Sequence, residues 1–92
     1  LGEMKKLFQS SQFLKDIKRI KKRGKDIKKL QTVVNKLANN ETLHPKYRDH
    51  PLMSEWKPCR DCHIEPDWLL VYYSDSNILR LERTGSHSDL FK

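Results

Sequence analysis

The run Trp68-Leu69-Leu70-Val71-Tyr72-Tyr73 constrains the fold more than any other stretch of this chain. It is continuously apolar or aromatic and rich in residues that favour a pleated, buried surface. Turn chemistry closes it on both sides, with Glu65-Pro66-Asp67 before it and Ser74-Asp75-Ser76-Asn77 after it. It reads as a central strand. Trp56 to Glu65 reads as the strand before it, with Pro58 pointing to an edge or a bulge near its start. Ile78 to Thr84 reads as the strand after it. Together the three predict an antiparallel meander.

Upstream the hydrophobic period changes to that of a helix. Phe13, Leu14, Ile17 and Ile20 recur at helical spacing, with Lys15, Lys18, Arg19 and Lys22 on other faces. Ser10 or Ser11 is a good N-cap, and Gly24 a natural C-cap. A second helix is predicted from about Asp26 to Asn39, striped by Ile27, Leu30, Val34, Leu37 and Ala38. The two read as an antiparallel hairpin laid on the sheet. Lys5 to Gln9 reads as a short edge strand, residues 41 to 55 as a long loop, and Ser86 to Phe91 as a short final helical turn. The predicted class is α+β, an antiparallel sheet packed against a two-helix hairpin in the order β-α-α-β-β-β. At 92 residues the chain makes one domain, 1–92, with a limited core. Leu1-Gly2-Glu3, ahead of Met4, reads as an expression remnant.

Charge divides the chain. Residues 1–36 carry 12 Lys/Arg against 3 acids, and the remainder carries 7 against 9, within an overall net charge of +7. A basic half of this kind suits a polyanion such as ribosomal RNA, or an acidic protein partner. No apolar run approaches the roughly 18 residues of a membrane span. No export signal is legible at the N-terminus, so the expected location is cytoplasmic.

Cys59-Arg60-Asp61-Cys62-His63 matches the haem-attachment string. That attachment happens outside the cytosol, and the string lies in a predicted strand of a domain too small to enclose a haem. A zinc site from Cys59, Cys62, His63 and His50 is opposed by strand alternation, which points two residues three apart to opposite faces. The same alternation makes a mutual disulfide improbable and leaves two reduced thiols.

Alternation also gathers residues. Lys57, Cys59, Asp61 and His63 share one face of the predicted strand, and Asp67 lies just across the turn from His63. His50 sits on the long loop, and His87 in a Gly-Ser-His-Ser turn between Arg83 and Phe91. Metal-free RNA cleavage needs a base for the 2′-hydroxyl, an acid for the leaving 5′-oxygen and a cation for the phosphate. Histidines, an Asp and an Arg supply those groups, and Trp68 or Phe91 could stack on a splayed base.

Asp49-His50-Pro51-Leu52, Trp56-Lys57, Arg60-Asp61-x-His63-x-Glu65-Pro66-Asp67-Trp68, Leu79-Arg80-x-Glu82-Arg83-Thr84-Gly85-Ser86-His87 and Leu90-Phe91 together resemble the RelE toxin superfamily, in its YafQ-type branch. The likeness runs through nearly the whole chain. It implies a microbial-ribonuclease-like fold and a bacterial type II toxin that cuts mRNA in the ribosomal A site without metal or cofactor. It also implies an acidic cognate antitoxin. His50, His63, Asp67 and His87 match the catalytic positions of that branch. Asp61, Trp68, Arg83 and Phe91 match positions that support the site or bind RNA, and Lys57 and Arg60 add positive charge for substrate. The expected roles are His87 as acid, His63 or His50 as base oriented by Asp67, with acid and base open to exchange, and Arg83 as phosphate clamp. Two rival readings are a ParE-like toxin that binds gyrase, which does not use this histidine set, and a non-catalytic ribosome- or RNA-binding module.

Overall fold

The computed structural model describes residues 4–91, so the remnant expected at 1–3 lies outside it. Five strands form one sheet in the order β1-β5-β4-β3-β2. They are β1 (Lys6–Gln9), β2 (His50–Pro51), β3 (Arg60–Glu65), β4 (Trp68–Ser74) and β5 (Ile78–Gly85). Helices α1 (Ser11–Lys22) and α2 (Ile27–Ala38) follow β1, and α3 (His87–Leu90) follows β5. The meander is antiparallel, and β1 joins β5 in parallel.

The helix boundaries follow their caps. Ser10 accepts the Phe13 N–H at 2.9 Å, and Asp26 accepts that of Lys28 at 3.0 Å. Gly24, at φ +81°, makes the left-handed turn between the helices without steric cost. One layer of core lies between both helices and the sheet: Phe13, Ile20, Leu30, Val33 and Leu37 pack against Trp68, Leu70, Tyr72, Leu79 and Leu81. A smaller cluster covers the other face, with Cys59, Leu69, Val71 and Leu90 joined by Leu52, Trp56, Tyr73 and Phe91. β4 is therefore central and covered on both sides.

Two segments differ from the sequence expectation. The loop at 41–55 contains β2 and two single turns of 3₁₀ helix, Pro45–Tyr47 and Ser54–Trp56. The strand expected from Trp56 begins only at Arg60, because Pro58 has no N–H for a ladder and Cys59 turns its own N–H back to the Trp56 carbonyl at 2.7 Å. Lys57 consequently lies outside the strand, exposed, and does not share the face of Asp61 and His63.

The stripe of α1 also differs. Leu14 is 48% exposed, whereas Asp16 is fully buried. β1 stops at Gln9, so β5 has an open edge beyond Leu81, and the chain closes it in two steps. The Ser10 N–H binds the Leu81 carbonyl and its hydroxyl that of Glu82. The Asp16 carboxylate then takes the Thr84 N–H at 3.1 Å, Arg83 Nε at 2.7 Å and Nη2 at 3.2 Å, and an N–H of Arg19.

Burial alone would raise the Asp16 pKa, but the bonds from Arg83 and Thr84 outweigh it and hold the carboxyl below its ordinary value. Its stabilisation is thus complete above the ordinary carboxylate pKa and fades as pH falls through the lowered one. Asp16→Asn is expected to cost about 3 kcal/mol in urea unfolding at neutral pH, the low end for a buried ion pair because both guanidiniums reach solvent. The difference between variant and wild type should narrow as the pH is lowered. A gap that is constant with pH would contradict the ionic role.

Candidate active site

Four short elements bring three histidines and two aspartates to the face of the sheet opposite α1 and α2. β2 pairs His50 with Asp61 across the ladder, and His63 follows two residues along β3 on the same face. The β3–β4 turn supplies Asp67, and α3 opens with His87. The positive charges that His50, His63 and His87 can carry all act on the Asp61 carboxyl.

His50 Nδ1 lies 2.7 Å from the Arg48 carbonyl, which can only accept, so this nitrogen carries a proton. Its Nε2 lies 3.1 Å from Asp61 Oδ1, an ion-pair distance without good hydrogen-bond alignment. Two bare lone pairs would repel there, so a proton on either partner makes the contact attractive. Asp61 is 4% exposed, and burial pushes its pKa up, against the pull of the histidines. Upstream, Asp49 accepts from the Tyr72 hydroxyl at 2.6 Å and Arg60 Nε at 3.1 Å, which anchors the segment leading into β2. Arg60 stands opposite Tyr72 in the ladder and serves that anchor, on the other side of the sheet from Asp61 and His63.

Asp67 corrects the sequence expectation. It orients His87, not His63 or His50: one carboxylate oxygen accepts the His87 backbone N–H at 2.9 Å and lies 2.5 Å from Nδ1. The two bonds from His87 depress the Asp67 pKa. They fix the tautomer, so Nε2 is the nitrogen left for chemistry. His63 is 5.5 Å from His87 between ring centroids, tilted by 48°. Its Nδ1 is buried without a hydrogen-bond partner among the described residues. Burial lowers its pKa, Asp61 opposes this, and His87 adds to it, so His63 is held towards the neutral form.

α3 has only four residues and is held by its cap. Ser86 and Asp89 exchange the reciprocal bonds of a capping box, and Arg23 from α1 grips Asp89 at 2.6 and 3.1 Å. Gly85 lets the carboxylate sit over the chain, since a Cβ there would meet Asp89 Oδ2 at 2.8 Å.

Trp68 and Arg83 also depart from expectation. Trp68 is 1% exposed in the helix-side core and donates Nε1–H to Thr84 Oγ1 at 2.9 Å, so it cannot stack on a base. Arg83 commits two nitrogens to Asp16 and is fixed at the sheet edge, a held cation and not a mobile one. Phe91 is half-buried, edge-on to Trp56 at 5.8 Å. Cys59 and Cys62 lie in different clusters on opposite faces, the separation that strand alternation predicts.

A small α+β domain with this face has close relatives among bacterial toxins. Residues 5–92 match the family described as a bacterial toxin of type II toxin-antitoxin system, YafQ. The chain is 51% identical over 83 residues to the mRNA interferase toxin YafQ of Escherichia coli strain B / BL21-DE3, covering 89% of this chain and 90% of that protein. It superposes with a chain of the crystallised E. coli DinJ-YafQ complex at a TM-score of 0.90, with 47% identity over 96% of this chain and 99% of that one. A metal-bound toxin from Helicobacter pylori matches at 0.89, with 48% identity over 96% and 100% of the two chains. The chain belongs to the YafQ toxin family.

His63 offers a direct test of the site's electrostatics. Its ring should titrate below the ordinary histidine value of about 6.5 in an NMR pH series. A midpoint at or above that value would contradict the burial of its Nδ1.

Proposed function

We propose that this toxin is an endoribonuclease that cuts mRNA in the ribosomal A site by metal-free acid–base chemistry, and that an acidic antitoxin holds it inactive. The observation that carries the reading is the division of labour among the histidines. His87 is tethered through Nδ1 to Asp67, with Nε2 directed to substrate. His63 is kept neutral close beside it. A neutral imidazole suits the removal of the 2′-hydroxyl proton, and a carboxylate-backed imidazolium suits delivery of one to the leaving 5′-oxygen. His63 is therefore the base and His87 the acid. The His50–Asp61 pair holds a further proton next to them and can neutralise charge that grows on the phosphorane oxygens.

Arg83, fixed by Asp16, offers its remaining N–H groups to the same phosphate, and Phe91 gives a partly exposed ring for a base. Lys57, exposed at the rim, adds long-range attraction only. The lysine-rich outer faces of α1 and α2 suit ribosomal RNA, and the complex in which the E. coli relative was crystallised supports an antitoxin partner here. Among the described residues no helix is long and apolar enough to cross a membrane; the cytoplasm is the proposed place of action because the proposed target is the ribosome. A gyrase-binding toxin would have no use for the two His–Asp pairs.

Primer extension on an mRNA in a reconstituted translation reaction tests this. Wild type should give cuts at A-site codons, and His87→Ala should lose about 10²–10⁴-fold in rate, as for a proton-transfer group, while still sedimenting with ribosomes. Unchanged cleavage by the variant would remove His87 from the chemistry. No cuts from wild type would favour the gyrase-binding or non-catalytic reading.

A further inference from the structure

The histidine face has an unassigned neighbour. β2 pairs only with Arg60 and Asp61, so beyond Asp61 the outer edge of β3 faces no strand among the described residues. A cleft of about 560 Å³ runs along this edge. Lys29 and Thr32 of α2 form one wall, and Lys46, Tyr47 and Arg48 form the other. His63 lies in its lining, so the cleft opens onto the catalytic face.

We infer that this cleft is a second RNA subsite, which holds the ribose-phosphate backbone of the message next to the scissile bond. The inference rests on the ribonuclease reading above. Lys29, Lys46 and Arg48 line the cleft with one acid, Glu65; that acid is paired with Lys25 at 2.8 Å and Lys29 at 2.9 Å, which leaves Lys46 and Arg48 as the cations for a ligand. The volume falls within the range of small-ligand sites, enough for a nucleotide. Lys46 and Arg48 are exposed at the rim, and the Tyr47 ring lies between them in sequence with Lys46 Nζ 5.2 Å from its centre. A cation beside an aromatic ring suits a phosphate followed by a base that stacks. The open β3 edge adds backbone groups, whereas the Thr32 hydroxyl donates to the Lys28 carbonyl at 3.0 Å and only shapes the wall.

The cleft also bears on positioning. Arg48 lines the cleft while its carbonyl fixes His50 Nδ1. A message gripped at Arg48 is thereby registered against His50 and His63. Contacts that hold the reacting phosphate in line raise the rate of the bound complex, whereas contacts from the outer helix faces to ribosomal RNA set how tightly the toxin docks.

The test is single-turnover cleavage of message in stalled ribosomes over a range of toxin concentrations. The variants are Lys46→Gln with Arg48→Asn, Asn being chosen because residue 48 has φ +49°. Loss of two charge-assisted contacts should lower the saturating rate by roughly 10- to 100-fold, with the half-saturating concentration unchanged within about twofold. Lys46→Arg with Arg48→Lys should restore most of the rate, and antitoxin affinity should be unaffected. A rise in half-saturating concentration at full rate would overturn the inference by placing the cleft against the ribosome. So would an unaltered rate, and so would lost antitoxin affinity with full cleavage, which would make it a peptide cleft. Absence of cuts from wild type is a separate result, which removes the ribonuclease reading and this inference together.

Discussion

The demand of β4 for cover on both faces shapes the whole molecule. Two helices satisfy it on one side. On the other the chain has little left, and the cover is a small cluster built from the Leu52–Trp56 segment and the C-terminal Leu90 and Phe91. Those same two pieces carry two histidines of the proposed site. The segment that brings Leu52 and Trp56 over Cys59 enters through His50, and the short helix that brings Leu90 over Leu69 and Val71 begins with His87. Burying apolar surface therefore delivers both histidines to the strand that bears Asp61 and His63. The fold and the site are one packing solution.

Charge fastens what packing places. The outer cluster is too small to hold a four-residue helix by apolar area alone. Arg23 reaches from α1 to Asp89, whose carboxyl is held well below the ordinary range by that bond and by Ser86. Asp16 does the equivalent for Arg83 at the open edge of β5. Helix α1 and its C-cap residue Arg23 thus act at a distance on the histidine face through two carboxylate–guanidinium links, although the apolar residues of α1 pack only on the opposite side of the sheet. Asp49, bridging Tyr72 and Arg60, fixes the entry to β2 in the same way.

Much of this was legible in the sequence, and the exceptions have physical causes. Caps marked both long helices, and strand alternation separated Cys59 from Cys62 while joining Asp61 to His63. The histidine set came from the resemblance, not from periodicity. Trp68 departs from its expected role because β4 is apolar on both faces, so polarity does not say which residues face inward; parity with Leu70 and Tyr72 decides it. Asp67 pairs with a histidine that local sequence does not indicate, because that partner arrives from twenty residues downstream. Asp16 stands outside the expected site, yet its spacing carries a signal: it lies three residues after Phe13 and four before Ile20, on the buried stripe of α1. A lone acid there must have a buried partner, and only the end of β1 reveals that the partner is β5. The two-residue β2 carries too little pattern to be read at all.

The central claim is that paired imidazoles move protons to and from a ribose hydroxyl and its phosphate. The chemistry at the cut ends tests it most directly. RNA cut by the toxin in translating ribosomes, with divalent ions held constant for the ribosome, should bear a 2′,3′-cyclic phosphate or its hydrolysed 3′-phosphate upstream and a free 5′-hydroxyl downstream. A message with a single 2′-deoxy sugar at the cleaved position should survive. A 5′-phosphate with a 3′-hydroxyl, or cleavage of the deoxy-substituted message, would contradict the account, because neither can arise from attack by the 2′-oxygen.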